Sequence, residues 1–228
     1  MAEKEFEAMK KVADANFTLD KINLDFVADL VYNSLSFEKR DITRNDVYNI
    51  ISDKLVDLDE KIIKVTLNHR KAFMFLLNLI TKNEELTESK LKDCHAILMD
   101  DNGGLYRNVD ISIHGSTHTP PSHLKVYTRM KQYFDVLLTP SENPLEKIAY
   151  SHLQLAKIHP FLDGNGRLSR LILNYYMLKA GLAPVIIPSN EKEKYFSFLE
   201  DYKVKKIQKP FIDYLITLEN QTINKYFK

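Results

Sequence analysis

The chain has 228 residues, 44% hydrophobic and 28% charged, with 32 Lys and Arg against 31 Asp and Glu for a formal net charge of +1. That length supports a sizeable core without disulfides, and a balance so near neutrality gives no electrostatic basis for partners such as nucleic acid or an anionic membrane. A lone cysteine, Cys94, excludes an internal disulfide, and the longest apolar run, "AFMFLLNLI", is too short to span a bilayer, so a cytoplasmic location is expected.

Glycine and proline are scarce before residue 100 and apolar residues recur at three- and four-residue intervals, which predicts helices. "INLDFVADLVYNSLSF" sets Leu24, Val27, Leu30, Val31 and Leu35 on one face. A second helix is predicted in "TRNDVYNIISDKLV", and a long one over about Asp59 to Thr81. Thr87 is suited to cap "ESKLKDCHAILM". Residues 1–58 are read as an N-terminal helical region and 59–228 as the core of one compact domain.

Residues 101–121 change character: "DNGGLYRNVDISIHGSTHTPP" is rich in turn formers and alternates Val109, Ile111 and Ile113, predicting a short hairpin that turns near Gly115 and Ser116. Pro120 and Pro121 suit the start of the next helix, in "SHLKVYTRMKQYFDVLL". A helix over about Pro144 to Ile158 then carries Leu145, Ile148, His152 and Leu155 on one stripe, which continues to His159 at the rim of the core. "GRLSRLILNYYMLKAG" is predicted helical and stops at Gly181, and helices over about 190–202 and 208–226 follow. The expected fold class is all-α, mainly helical, with a small β-hairpin flap.

Between two of these helices lies "HPFLDGNGRLSR", His159 to Arg170. A short glycine loop that opens a helix aims free backbone N–H groups at one point, where an anion can sit at the positive helix end. Gly164 and Gly166 let the backbone approach a ligand. Arg167 and Arg170, three apart, share a face, and their guanidinium forks match phosphate oxygens. Asp163 beside an anion site reads as a Mg²⁺ ligand, since that ion takes a carboxylate together with phosphate oxygens. His159, with an ordinary pKa near cellular pH, is the candidate general base. Each residue alone also has a bland reading, "DGNG" as a turn and the histidine as a cap; their joint spacing favours a nucleotide polyphosphate site.

The stretch resembles the signature of the Fic (AMP-transferase) family at every fixed position, and similarity extends over about Ile62 to Ile216, including "AGLAPVII" and "KYFSFL". The resemblance implies a mostly helical domain with a hairpin flap. It also implies that His159 deprotonates a Ser, Thr or Tyr hydroxyl on a target protein, which attacks the α-phosphate of ATP, so that AMP is transferred and pyrophosphate leaves. Asp163 would hold Mg²⁺, with Mn²⁺ as the alternative. Gly164, Asn165 and Gly166 would cradle the phosphates while Arg167 and Arg170 neutralise their charge. Phe161 would anchor the loop, and Tyr195 and Phe196 would line the adenine pocket. The flap residues Ile111, Ser112, Ile113, His114 and Gly115 would dock an extended target segment through backbone hydrogen bonds. Some relatives place an asparagine near Lys203 against adenine; this chain does not.

"SLSFEKRDIT" is similar to the family's inhibitory motif, with Ser34 and Glu38 at the required four-residue spacing. On one helix face, Glu38 is expected to pair with Arg170 and withdraw it from the γ-phosphate. Lys39 and Arg40 replace the glycine or asparagine usual after that glutamate, predicting a different helix end. The function expected is an AMP-transferase restrained in cis, with self-modification among its reactions and a homo-oligomer left open. The competing readings are removal of AMP by the same site, transfer of another phosphate-containing group, and a nucleotide-binding interaction module without turnover.

Overall fold

The computed structural model describes residues 2–38, 40–100, 103–113 and 116–228. Its first helix, α1 (Ala2–Asn16), opens with Glu3 and Glu5, negative charges suited to the positive helix end. The next helices begin on side chains that satisfy their own first turns. Asn23 accepts the Phe26 N–H at 2.9 Å to open α2 (Leu24–Ser36), and Thr43 and Asp46 form a reciprocal capping box on α3 (Arg44–Ile51). Asp59 opens α4 (Glu60–Thr81) and Thr87 opens α5 (Glu88–Met99). After α6 (Val126–Leu138), Asn143 and the helical first-turn Pro144 open α7 (Pro144–Ile158).

α8 (Asn165–Lys179) has no such side chain: its N-cap is Gly164, left-handed at φ 75°. α9 (Lys192–Lys205) and α10 (Lys209–Thr222) complete the chain with a final turn over Ile223–Phe227.

α8 is the central rod. It packs between α7 and α4, with α2 and α5 beside it. The predicted inward residues Leu168, Leu171, Ile172 and Tyr175 are buried, but so are Leu173 and Met177 on the other side, because helices enclose α8 all round. A buried leucine is worth about 1.5–3 kcal/mol, so the rod is fixed along its length and its start cannot wander. Beyond Gly181, Asn174 exchanges two hydrogen bonds with the Val185 backbone at 2.7 and 2.9 Å, which ties the returning chain to α8.

The expected hairpin is corrected: no strand occurs among the described residues, and 103–113 runs as an irregular segment. The reason is a shortage of ladder partners. Pro120 and Pro121 have no N–H to donate from the returning side, and the Arg107 guanidinium takes the carbonyls of Val109 (2.9 Å) and Pro121. The segment is strapped down by side chains, with Asp110 accepting the backbone N–H and ring N–H of His123 at 2.7 and 2.8 Å, and Glu200 accepting the hydroxyls of Ser116 and Thr117. Of the flap residues, Ile111, Ser112 and Ile113 are in this segment; His114 and Gly115 lie outside the described residues. Among the described residues no helix is long and apolar enough to cross a membrane.

Candidate active site

α7 ends on His159, whose backbone is left-handed (φ 51°, ψ 61°) with its N–H on the Leu155 carbonyl at 2.9 Å. That reversal throws the chain into the loop ahead of α8. Phe161 is fully buried and anchors the loop as expected. The Asn165 side chain clamps it there, accepting the Phe161 N–H at 2.9 Å and donating to the Phe161 carbonyl at 2.8 Å. The Asn165 side-chain amide is therefore committed to the loop, which leaves its backbone N–H for the expected phosphate cradle.

The first-turn N–H groups of α8, from Asn165, Gly166 and Arg167, have no acceptor within the helix and no side chain capping them. Gly164 is required by its positive φ and by space, since a Cβ there would stand 2.5 Å from the Met99 sulfur. Asp163 accepts the Gly164 N–H at 2.6 Å through Oδ1, while its carboxylate is largely exposed and its Oδ2 stands 3.7 Å from Arg167. Among the described residues no cluster of three His, Cys, Asp or Glu could hold a metal. One exposed carboxylate is a donor set that suits a hard cation drawing its remaining ligands from phosphate and water.

Both motif arginines are buried and both meet the segment that follows α2. Arg167 donates from Nε to Glu38 Oε1 at 2.6 Å. Arg170 donates to the Ser34 hydroxyl at 3.0 Å and carbonyl at 2.9 Å, and lies 4.6 Å over the Phe37 ring. The expected Glu38–Arg170 pair is thus corrected to Glu38–Arg167. α2 stops at Ser36, so Glu38 sits past the helix in a turn, with its N–H on the Leu35 carbonyl at 2.9 Å, and it reaches the start of α8. Ser34, still helical, takes the arginine one turn further in.

His159 shares a cavity of about 370 Å³ with Glu38, Asp163, Gly166, Arg170 and Phe196. Burial, reinforced by the positive charges of Lys203 and Arg107, depresses its imidazole to about 4. Its Nδ1 faces the Ala156 carbonyl at 3.3 Å, which places the proton on Nδ1 and leaves the Nε2 lone pair to act as a base. Phe196 is 40% exposed, whereas Tyr195 is buried with its hydroxyl on His152 Nε2 at 2.9 Å. Phe37 packs against both, 5.3 Å from Tyr195 and 6.0 Å from Phe196. The departures at Lys203 and Arg40 both bear on the site: Lys203 lines the cavity, and Arg40 donates twice to Glu38 Oε2, at 3.0 and 2.8 Å.

The Fic/DOC family profile matches residues 85–177, from just before α5 into α8. Over those residues the chain is similar to Fic proteins. It is 26% identical over 96% of its length to the protein adenylyltransferase Fic of Drosophila willistoni, covering 45% of that protein. Against the Nematostella vectensis protein of the same name the identity is 29% over 86% of the chain, which covers 48% of the relative. The chain therefore spans about half the length of the curated relatives it matches. Among solved structures, Fic-1 of C. elegans superposes with a TM-score of 0.85 at 21% identity, covering 99% of this chain and 71% of the other.

Sequence reasoning missed three residues that shape this site. His95 and Arg107 hold the motif loop from outside it, and His152 bonds the Ser169 carbonyl at 2.9 Å and the Tyr195 hydroxyl, fixing the first turns of α8 against α9. His152 carried a signal, a histidine on an apolar stripe whose neighbours one turn away are Ile148, Ala149, Leu155 and Ala156. His95 and Arg107 act over separations of 68 and 52 residues, and nothing local marks them.

Proposed function

We propose that this chain is a protein AMP-transferase, moving AMP from ATP to a Ser, Thr or Tyr hydroxyl of a target protein or of itself, under restraint by Glu38. One observation carries the reading: the uncapped start of α8, an uncharged imidazole and a buried arginine all face a single cavity. The names of the relatives support it.

In this reading the triphosphate binds the backbone amides of Asn165, Gly166 and Arg167, with Arg167 and Arg170 balancing its charge. Asp163 is the residue that would hold Mg²⁺, and a bound Mg²⁺ draws negative charge from the phosphates. The base stacks on Phe196, and the Ile111–Ile113 backbone docks an extended target segment. The hydroxyl proton passes to His159 Nε2 as the oxygen attacks the α-phosphorus; the bond from that phosphorus to the bridging oxygen breaks, and pyrophosphate leaves with its electron pair. Little covalent chemistry falls to the protein, so positioning and fixed charge do most of the catalysis.

The restraint follows from occupancy. Arg167 is held by Glu38 and Arg170 by Ser34 and Phe37, so neither guanidinium is free for phosphate, and Phe37 stands beside the ring that would stack the base. ATP then binds in an unreactive pose. The deciding experiment incubates wild type and Glu38→Gly with Mg²⁺ and ATP labelled at the α-phosphate, followed by mass spectrometry of the modified protein. Label retained as AMP on a hydroxyl, and more of it in the variant, is the expected result; no label from either protein, or a different added group, overturns the reading.

A further inference from the structure

The loop from His159 to Gly164 is held at its two ends by different residues, neither belonging to the motif. At the far end stands His95, buried on α5. The Gly104 N–H donates to its Nδ1 at 3.0 Å, which makes Nδ1 the acceptor and puts the ring proton on Nε2; that N–H donates to the Asp163 carbonyl at 2.9 Å. The ring lies flat on Phe161, with centroids 3.6 Å apart and an interplanar angle of 11°. Three orthogonal restraints thus converge on one imidazole.

At the near end stands Arg107, 3% exposed. Its Nε donates to the His159 carbonyl at 3.0 Å and its backbone N–H to the Pro160 carbonyl at 2.9 Å. The remainder of the guanidinium is spent on the carbonyls of Val109 and Pro121, so the side chain cannot swing. The turn linking the two braces lies directly on α5: a Cβ at Gly103 would stand 2.3 Å from the Ala96 Cα. Only glycine lets the segment come close enough for His95 and Arg107 to reach the same loop.

We infer that His95 and Arg107 are positioning residues for the transfer reaction, His95 setting the Asp163 end that receives Mg²⁺ and phosphate, and Arg107 setting the His159 end that receives the proton. The inference rests on the AMP-transfer reading. Asp163 turns its carboxylate outward from a backbone whose carbonyl is pinned by His95, so losing that donor lets the carboxylate and the Gly164 amide drift together. His159 has a left-handed backbone that an ordinary side chain rarely adopts, and Arg107 secures its carbonyl with a charge-assisted hydrogen bond. Displacements on the scale of an ångström at either end are enough to impair catalysis.

The two braces predict separable defects, measured in a Glu38→Gly background by calorimetric ATP affinity with and without Mg²⁺ and by the single-turnover rate of self-modification at saturating ATP. His95→Phe keeps the flat ring and removes both polar atoms; the expected result is Mg²⁺-ATP affinity weaker by about tenfold with affinity for ATP alone little changed. His95→Gln, which restores a side-chain donor, should return to within about threefold of the parent. Arg107→Met should leave Mg²⁺-ATP affinity within about threefold while the rate falls by about tenfold, with Arg107→Lys in between. If phenylalanine or methionine prevents folding, the donor-free His95→Leu and Arg107→Leu carry the same two expectations. Parallel losses of affinity and rate from both positions, or no loss from either, overturn the inference. A parent protein that binds no ATP removes the AMP-transfer reading and this inference with it; a parent that binds and transfers, with every variant unchanged, removes this inference alone.

Discussion

Glu38 lies between two guanidiniums: Oε1 accepts the Arg167 Nε–H at 2.6 Å, and Oε2 accepts Nε–H and Nη2–H of Arg40 at 3.0 and 2.8 Å. Arg167 is buried on α8, while Arg40 is partly exposed in the loop after α2. The second arginine therefore acts as a clip that aims the carboxylate at the first. Arg40, a departure from the expected inhibitory motif, thus contacts the motif glutamate directly.

The clip can be weighed against the contact it supports. An exposed ion pair is worth about 0.2–1 kcal/mol, so Arg40→Ala should raise self-modification only about twofold to fivefold. Glu38→Gly releases the Arg167 Nε–H and should raise it by about tenfold or more. Incorporation of α-labelled ATP over time checks both. Equal activation by the two variants would show that Arg40, rather than Glu38, carries the restraint.

The base predicts a pH profile. Burial holds His159 down at about 4, so its imidazole is uncharged, with Nε2 free of a proton, throughout the neutral range. kcat/KM, which reports the free enzyme, should rise with pH through about 4 and then level. Bound triphosphate brings negative charge into the same cavity and favours the imidazolium, so the acid limb in kcat should lie at higher pH. His159→Ala should bind ATP normally and transfer about 10²–10⁴ times more slowly. An acid limb in kcat/KM at the ordinary histidine value would mean that His159 is solvated in solution.

The helices and the motif were legible because their signals are local. Leu24, Val27, Leu30, Val31 and Leu35 repeat at helical spacing, Thr87 caps as expected, and His159 to Arg170 is one unbroken stretch. The misread parts depended on where the chain turns or what it meets. Glu38 was assigned to a helix face, but α2 ends two residues before it, and this moves its partner from Arg170 to Arg167. The alternation at Val109, Ile111 and Ile113 is real, yet a strand also needs a donor opposite, and Pro120 and Pro121 offer none.

Gly164 tests how tightly the loop is set. Its φ of 75° strains any other residue, and an added Cβ would press on the Met99 sulfur at 2.5 Å and His95 Nε2 at 3.2 Å. Gly164→Ala should cost about 1–2 kcal/mol of stability from the backbone alone and should weaken ATP binding. Adding Met99→Ala removes the sulfur clash but not the strain, so the double variant should recover ATP affinity in part. Thermal melts and calorimetry measure the two effects; full tolerance of Gly164→Ala would mean that the loop relaxes freely.

A last prediction concerns Glu219, buried on α10 with Oε1 accepting the Ala183 N–H at 2.8 Å, which fastens the chain leaving α8. Burial raises its carboxyl from 4.5 to about 7. Because the folded value lies above the unfolded one, the unfolded chain releases the proton first. Stability is therefore fullest below pH 4.5, falls as pH rises toward about 7, and then stays level. The loss is on the order of 3 kcal/mol. Glu219→Gln keeps a carbonyl acceptor for Ala183 and cannot ionise, so urea unfolding should find the variant stabilised relative to wild type at pH 8 by more than at pH 5. A wild-type-to-variant difference that is the same at both pH values would show that the Glu219 carboxyl does not change its charge across this range.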